Sequence, residues 1–304
     1  MPQVRIEKIK AASVKNFLPP RPPDAHKGTF GRVLVIAGSI GMTGAAALVT
    51  RSALLSGAGL VTCATARGQQ PIVASAVLEA LTLPLPENSR GSISSEAVDV
   101  LREFVLEKGA DVMAIGSGLG MTGDTAEFAL KAFMKLDIPA VCDADFLNAV
   151  SKRADLRIFS RRKSPSVLLP HPGEMSRLLG RPVPSDEKGR AAAAMECAEK
   201  TGCITVLKGS GTLVCSGGKS FINTTGGPAL AKGGTGDVLC GMTAGLWAQY
   251  LKCGGLTAAT GLKAVLCAVY LHGLCGDLAA KEKTARCVMA GGLTDYLPEA
   301  FSSL

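Results

Sequence analysis

One pattern limits the possible folds of this chain more than any other: short unbroken apolar runs, each ending in glycine or a polar residue and then passing into a helical stretch. Val33 to Ala37 ends at Gly38-Ser39, a helical stretch follows from Thr43 to Ser56, and Leu60 to Ala64 is a second apolar run. Val112 to Ile115 ends at Gly116-Ser117-Gly118-Leu119-Gly120 and leads to a helix over Ala126 to Lys135. Ala140 to Cys142 ends at Asp143, and Ile204 to Leu207 ends at Lys208-Gly209. Ser166 to Leu169 ends at Pro170-His171-Pro172, before a short helix from Glu174 to Leu179. Apolar runs without alternation suit strands covered on both faces, and strand, turn, helix, strand is the right-handed crossover unit of a parallel sheet. The expectation is an α/β fold with a mostly parallel sheet. In such sheets the turns after the strand ends share one edge, where ligands bind.

Composition agrees. Aromatics make up 4% of the 304 residues while glycine reaches 36, a mix that favours a helix-covered parallel sheet over a β-sandwich. Leu18 to Asp24 is dense in proline and reads as the end of an extended lead-in over residues 1–24. No repeat or linker divides the remainder, so residues 25–304 are expected to form one domain. Thr212 to Thr224 reads as a hairpin turning at Ser216 to Lys219. Its Gly218-Lys219-Ser220 is not a P-loop, because Leu213 occupies the place of the required earlier glycine. Met121 stands where a dinucleotide-binding GxGxxG would need its third glycine. Val238 to Tyr250 and Ala259 to Leu274 are expected as long, mostly apolar helices packed on the sheet.

The net charge of +8 is not gathered in a tail. Its densest cluster, Arg157 with Arg161-Arg162-Lys163, has no interleaved aromatics and reads as a solvated helix end or loop, which argues against nucleic-acid binding. Ten cysteines without any CxxC, spread through apolar stretches, point to reduced buried thiols. Met1 to Lys15 is polar and mixed in charge, unlike a signal peptide. The charge-free stretch Val33 to Thr50 is broken by glycine and hydroxyl residues, unlike a membrane span. A soluble cytoplasmic protein is expected.

The segment Lys232-Gly233-Gly234-Thr235-Gly236-Asp237 carries the chemistry. Its glycines bring backbone amides close to a ligand at a helix start, an anion cradle, and Asp237 adds a base beside it. Together these suit phosphoryl transfer to a hydroxyl. Lys208 to Thr212 offers amides, hydroxyls and a cation for a nucleotide, although a hairpin lead-in with a surface lysine reads almost as well. Asp143 and Asp145 could meet a Mg²⁺–phosphate cluster or cap the next helix. In His171-Pro172-Gly173-Glu174, Glu174 suits a helix N-terminus, leaving His171 free to donate to a ligand; His26 reads as incidental and His272 as structural.

Taken together and in order, Gly31 to Ser39 with Gly44-Ala45-Ala46, Gly116 to Gly120, Asp143-Ala144-Asp145, His171 to Glu174, Lys208-Gly209 and Gly233 to Asp237 resemble the ADP/ATP-dependent NAD(P)H-hydrate dehydratases of the ribokinase-like superfamily. The resemblance covers residues 25 to the end and implies a three-layer α/β/α sandwich around a mostly parallel sheet. It also implies a reaction. Water added at C6 of the nicotinamide ring is removed by phosphorylating that hydroxyl from a nucleotide and expelling phosphate, which returns NADH or NADPH. By the same resemblance Asp237 is the base, and the amides of Gly234, Thr235 and Gly236 hold the transferring phosphoryl group. Lys208, Gly209, Ser210, Gly211, Thr212 and Gly236 contact the nucleotide. Ala45 or Ala46, Gly118 or Gly120, and His171 contact the hydrate. ADP with Mg²⁺ is the implied donor, with ATP as the alternative, and a homotetramer is the implied assembly. Cys240 stands where a serine or alanine is usual. The epimerase half of fused members has no counterpart here, so no epimerase activity is expected. The competing expectations are a small-alcohol kinase on the same fold, for a thiamine precursor or pyridoxal, and a non-catalytic nucleotide sensor.

Overall fold

The computed structural model of the chain describes residues 5–255 and 257–304. Among these, ten strands form one sheet: β1 (Ile6–Lys8), β2 (Arg32–Ile36), β3 (Leu60–Ala66), β4 (Leu81–Leu85), β5 (Val112–Ile115), β6 (Ala140–Cys142), β7 (Ser166–Leu168), β8 (Ile204–Leu207), β9 (Leu213–Ser216) and β10 (Lys219–Ile222). Their spatial order is β1-β10-β9-β8-β7-β6-β5-β2-β3-β4, and only β9 runs against its neighbours. The order of β2 to β8 reverses between β2 and β5, so a crevice opens at their C-terminal ends. There Gly38 N donates to Ser117 O at 2.9 Å, tying the two loops together.

Alternate strand residues face opposite layers, as strand geometry requires. Val33, Val35, Val112 and Ala114 pack with Trp247 under the helices Thr43–Leu55, Thr235–Gly254 and Ala258–Cys287. Leu34, Ile36, Met113 and Ile115 pack with Phe128, Phe133 and Phe146 of the helices Gly123–Lys135 and Ala144–Arg153. The result is the expected three-layer α/β/α sandwich. The helix Ala258–Cys287 is long and apolar enough to cross a membrane, but 67% of its most apolar window lies inside the fold.

Apolar runs with sharp ends locate strands well: β5, β6 and β8 coincide with the expected runs. The helices Ala97–Lys108 and Glu187–Thr201 were not anticipated, nor was β4, an edge strand that carries Pro84 and is mostly half-exposed. The lead-in contributes to the fold. β1 pairs with β10, Val14 is fully buried in the main core, and Arg21 donates to Gln249 Oε1 at 3.0 Å. The basic cluster corrects another expectation. Arg162 is buried, stacks 4.0 Å from the Phe133 ring centre, and donates to Leu136 O at 2.9 Å, to Ile138 O and to Ser166 Oγ at 3.0 Å. A buried guanidinium is tolerated because carbonyls and a hydroxyl replace water around it. All ten cysteines are unpaired; eight are buried, while Cys253 and Cys287 are exposed.

One helix pair sets the site. A Cβ on Gly241 would stand 2.0 Å from Ser52 Oγ, and one on Gly245 would stand 2.3 Å from Ala53 O. Glycine at both places lets the helix Thr235–Gly254 lie directly against the helix Thr43–Leu55. This contact fixes the start of the Thr235–Gly254 helix at the crevice.

Candidate active site

The turn into that helix is held from three directions. Gly234 has φ of 91°, a left-handed conformation that places the next amides at the helix mouth. Thr235 Oγ1 is within 2.9 Å of both Lys232 O and Leu230 O, and buried His272 donates Nε2–H to Thr235 O at 2.9 Å. Burial pushes the His272 imidazole down to about 4, so it is a neutral donor. Among the described residues the Gly234 and Gly236 amides have no acceptor. That of Thr235 has only Lys232 O at a long 3.5 Å. These are the free donors of an anion site.

Beside them stands a charged group built from three strand ends. Lys208, after β8, places Nζ 2.6 Å from Asp143 Oδ1, after β6, and 3.9 Å from Glu174 Oε2, beyond β7. Lys208 is therefore not the surface lysine of a hairpin lead-in. Burial works against its charge, but Asp143 and Glu174 outweigh that and hold it above its ordinary range. Burial pushes the Asp237 carboxyl up to about 6; the Asp143 and Asp145 charges add to this, against the Ser117 hydroxyl and Lys208. Ser117 Oγ is itself buried with no partner in hydrogen-bond geometry, leaving its proton available. A carboxylate poised near neutrality suits a general base.

A cavity of about 290 Å³ opens on one side of the helix start. Lys208, Gly209, Ser210, Gly211, Thr212 and Gly236, the residues expected to contact a nucleotide, all line it. Arg190 donates to Ser210 O and, at 3.4 Å, to Gly211 O, drawing those carbonyls to itself. The opposite wall was missed: Asn223, Thr225 to Pro228, Val269 and Gly273. Thr225-Gly226-Gly227-Pro228 was the available signal, a glycine turn after a strand that was read only as the hairpin's end.

The residues expected to contact the hydrate do not line that cavity. A Cβ on Gly118 would stand 3.0 Å from Ala45 Cβ, so the Gly116–Gly120 loop rests on the start of the Thr43–Leu55 helix. Ala45 and Gly120 are partly exposed there, whereas Ala46 and Gly118 are buried. The His171 ring is engaged at one nitrogen and half exposed. Nδ1 accepts from Gly173 N at 3.0 Å and Nε2 lies 3.3 Å from Glu174 Oε1, while Glu174 Oε2 accepts from His171 N at 2.8 Å. The histidine caps its helix reciprocally with Glu174. Burial, then the Lys208 and Arg177 charges, lower its affinity for a proton, consistent with a neutral ring that donates through Nε2.

Asp143 and Asp145 each spend one carboxylate oxygen on a backbone amide. Asp145 Oδ2 accepts from Gly120 N at 2.9 Å and Asp143 Oδ1 from Ala144 N at 2.8 Å, besides its lysine. No group of three or more His, Cys, Asp or Glu among the described residues could hold a metal. Asp143 Oδ2 remains, facing the place of a Gly236 Cβ at 3.9 Å. That oxygen, with Asp145 Oδ1 also free of partners among the described residues, fits Mg²⁺ that arrives on phosphates and keeps its waters.

A sheet in this order covered by helices on both faces defines a ribokinase-like protein: a ribokinase-like superfamily protein of Enterococcus faecalis superposes with a TM-score of 0.80 at 27% identity, over 98% of this chain and 96% of that one. Within that class the chain belongs to the NAD(P)H-hydrate dehydratase family, which residues 33–299 match. It is 42% identical over 297 residues, 97% of its length, to the bifunctional NAD(P)H-hydrate repair enzyme Nnr of Moorella thermoacetica. The chain spans about half of that relative, 54%. It is 35% identical to the ADP-dependent (S)-NAD(P)H-hydrate dehydratase of Bacillus subtilis, covering 95% of both chains. A crystal structure of the Bacillus subtilis ADP/ATP-dependent NAD(P)H-hydrate dehydratase, co-crystallised with ATP/Mg²⁺, superposes with a TM-score of 0.82 at 33% identity over 99% of each chain.

Proposed function

We propose that this chain dehydrates the S epimer of NAD(P)H hydrate to NAD(P)H, with ADP as phosphoryl donor. One observation carries the reading. The Lys208–Thr212 loop and Gly236 line a cavity that Asp237 does not, while the polar neighbours of Asp237 are Ser117 after β5, Asp143 and Asp145 after β6, and Lys208 after β8. Nucleotide and hydroxyl thus have separate places beside the same free amides. Asp237 takes the proton of the C6 hydroxyl, and that oxygen attacks the terminal phosphorus of ADP. The bond to the bridging oxygen breaks, and AMP leaves with its electron pair. The amides of Gly234, Thr235 and Gly236 hold the moving phosphoryl oxygens, and Lys208 offsets their charge. The ring nitrogen lone pair then expels phosphate from C6, and loss of the C5 proton restores the double bond. Mg²⁺ carried by the nucleotide, beside Asp143 Oδ2, would neutralise phosphate charge.

Substrate contact falls to Ala45, Gly120 and the His171 corner. Ten unpaired cysteines suit a cytoplasmic setting. The family resemblance implies a homotetramer, and exposed Leu78 and Leu81 beside β4 give it apolar surface; light scattering tests this. The activity is tested by incubating the protein with Mg²⁺, ADP or ATP, and NADH hydrate, following reduced-nicotinamide absorbance and phosphate. A nucleotide-dependent rise with equimolar phosphate is expected. A phosphorylated alcohol that persists without phosphate release would indicate a small-alcohol kinase, and binding without turnover a sensor.

A further inference from the structure

We propose that an open cleft beside the substrate loops, distinct from the nucleotide cavity, binds the diphosphate bridge of the dinucleotide hydrate; this rests on the dehydratase reading. The cleft, about 420 Å³, is lined by Met121, Asn148, Ser151, Lys152 and Arg177, and shares no residue with the nucleotide cavity. It begins where both substrate loops end. Met121 follows Gly120 directly, and Arg177 Nη1 lies 3.6 Å from the place of a Cβ on Gly173, next to His171.

The charge on its lining is one-sided, although the field of Arg177 also reaches the buried Glu174 carboxylate three residues before it. Arg177 Nε donates to the neutral Asn148 Oδ1 at 2.8 Å, which orients the guanidinium without neutralising it. Neither Arg177 nor Lys152 belongs to an ion pair among the described residues, and no carboxylate lines the cleft. Ser151 gives its proton to Leu147 O at 2.7 Å, so it contributes shape and a lone pair only. A planar fork of donors beside a second, compact cation matches two adjacent phosphates. The ring being repaired sits at Asp237, and the first strongly anionic part of the same substrate, moving outward, is its diphosphate. Both NADH and NADPH hydrates carry that bridge. The cleft therefore adds affinity without choosing between them.

The test measures kcat and KM of the full chain and of Lys152→Gln, Arg177→Gln and the double variant, at saturating ADP and Mg²⁺. Three substrates are compared: NADH hydrate, NADPH hydrate, and the hydrate of reduced nicotinamide riboside, which keeps the reacting ring and lacks phosphate. The expected result is a KM for both dinucleotide hydrates raised about tenfold per variant, kcat unchanged, and riboside kinetics unaltered. An unchanged KM for the dinucleotides, or an equal loss on the riboside, overturns the assignment; so does a loss confined to NADPH hydrate, which would move the cations to the 2′-phosphate. If the parent turns over none of the hydrates, the dehydratase reading fails by itself. Fluorescence titration with NADPH, the nucleotide cavity filled by AMP, then judges the cleft, and equal affinity in parent and double variant overturns it.

Discussion

Asp237→Asn should make the protein slower and more stable at once. Burial moves the Asp237 carboxyl from an ordinary 3.8 to about 6, roughly two units, equivalent to about 3 kcal/mol between its protonation states. Because the folded state holds the proton more tightly than the unfolded one, this stability is complete below the ordinary value. It is lost as pH rises through the folded value. Above both, the ionised carboxylate costs the fold about 3 kcal/mol that a neutral amide of the same shape does not. Urea unfolding at about pH 8 should therefore show the variant more stable by that order, and the difference should vanish at about pH 3. Turnover should fall at least ~10²-fold, the usual contribution of a positioned base. In the parent, kcat/KM should rise with pH and level off above about 6, and the variant should lack this limb. Equal stability of the two proteins at the higher pH, or the same gain at both, would mean that Asp237 is well solvated and the dry-site argument is wrong.

Gly236→Ala should leave the fold intact, since its Cβ would come no nearer than 3.3 Å to Lys208 Nζ and 3.9 Å to Asp143 Oδ2. It crowds the phosphate position, and calorimetry should show ADP affinity lowered about tenfold. Lys208→Met strands the buried Asp143 carboxylate and should cost about 3–5 kcal/mol in urea unfolding, part of it regained by adding Asp143→Asn. A chromogenic thiol reagent should react quickly with two of the ten cysteines, Cys253 and Cys287, in the native protein and with all ten in denaturant. Quick reaction at buried Cys240 would contradict the packing around the helix start.

The sheet was legible because its strands are continuous apolar runs cut off by glycine or aspartate, which burial on both faces demands. The site was legible where chemistry is local: the glycine turn, Asp237 and the Lys208–Thr212 loop need only neighbours in sequence. Pairs far apart were not. Lys208 and Asp143 are 65 positions apart, and nothing in either segment announces the other. Arg162 read as solvent-facing because its acceptors are carbonyls at Leu136 and Ile138, which no side-chain pattern records. The capping role of His171 is not legible because histidine is a rare helix cap: its Nδ1 accepts from the Gly173 and Glu174 amides while the Glu174 carboxylate reaches back to the His171 N–H.

Synthesis imposes an order on the sheet's far edge. Thr224 Oγ1 donates to Ile9 O at 2.9 Å across 215 positions, just beyond the pairing of β1 with β10. At ~5–20 residues per second, β1 emerges from the ribosome on the order of 10–40 s before its partner exists. Through that interval its apolar neighbours Ile9 and Val14 have no finished surface to join. When β10 does arrive, its outer edge is an unpaired row of amides and carbonyls, open to any passing strand until β1 closes it. The lead-in thus acts late in folding as the chain's own guard against association through that edge.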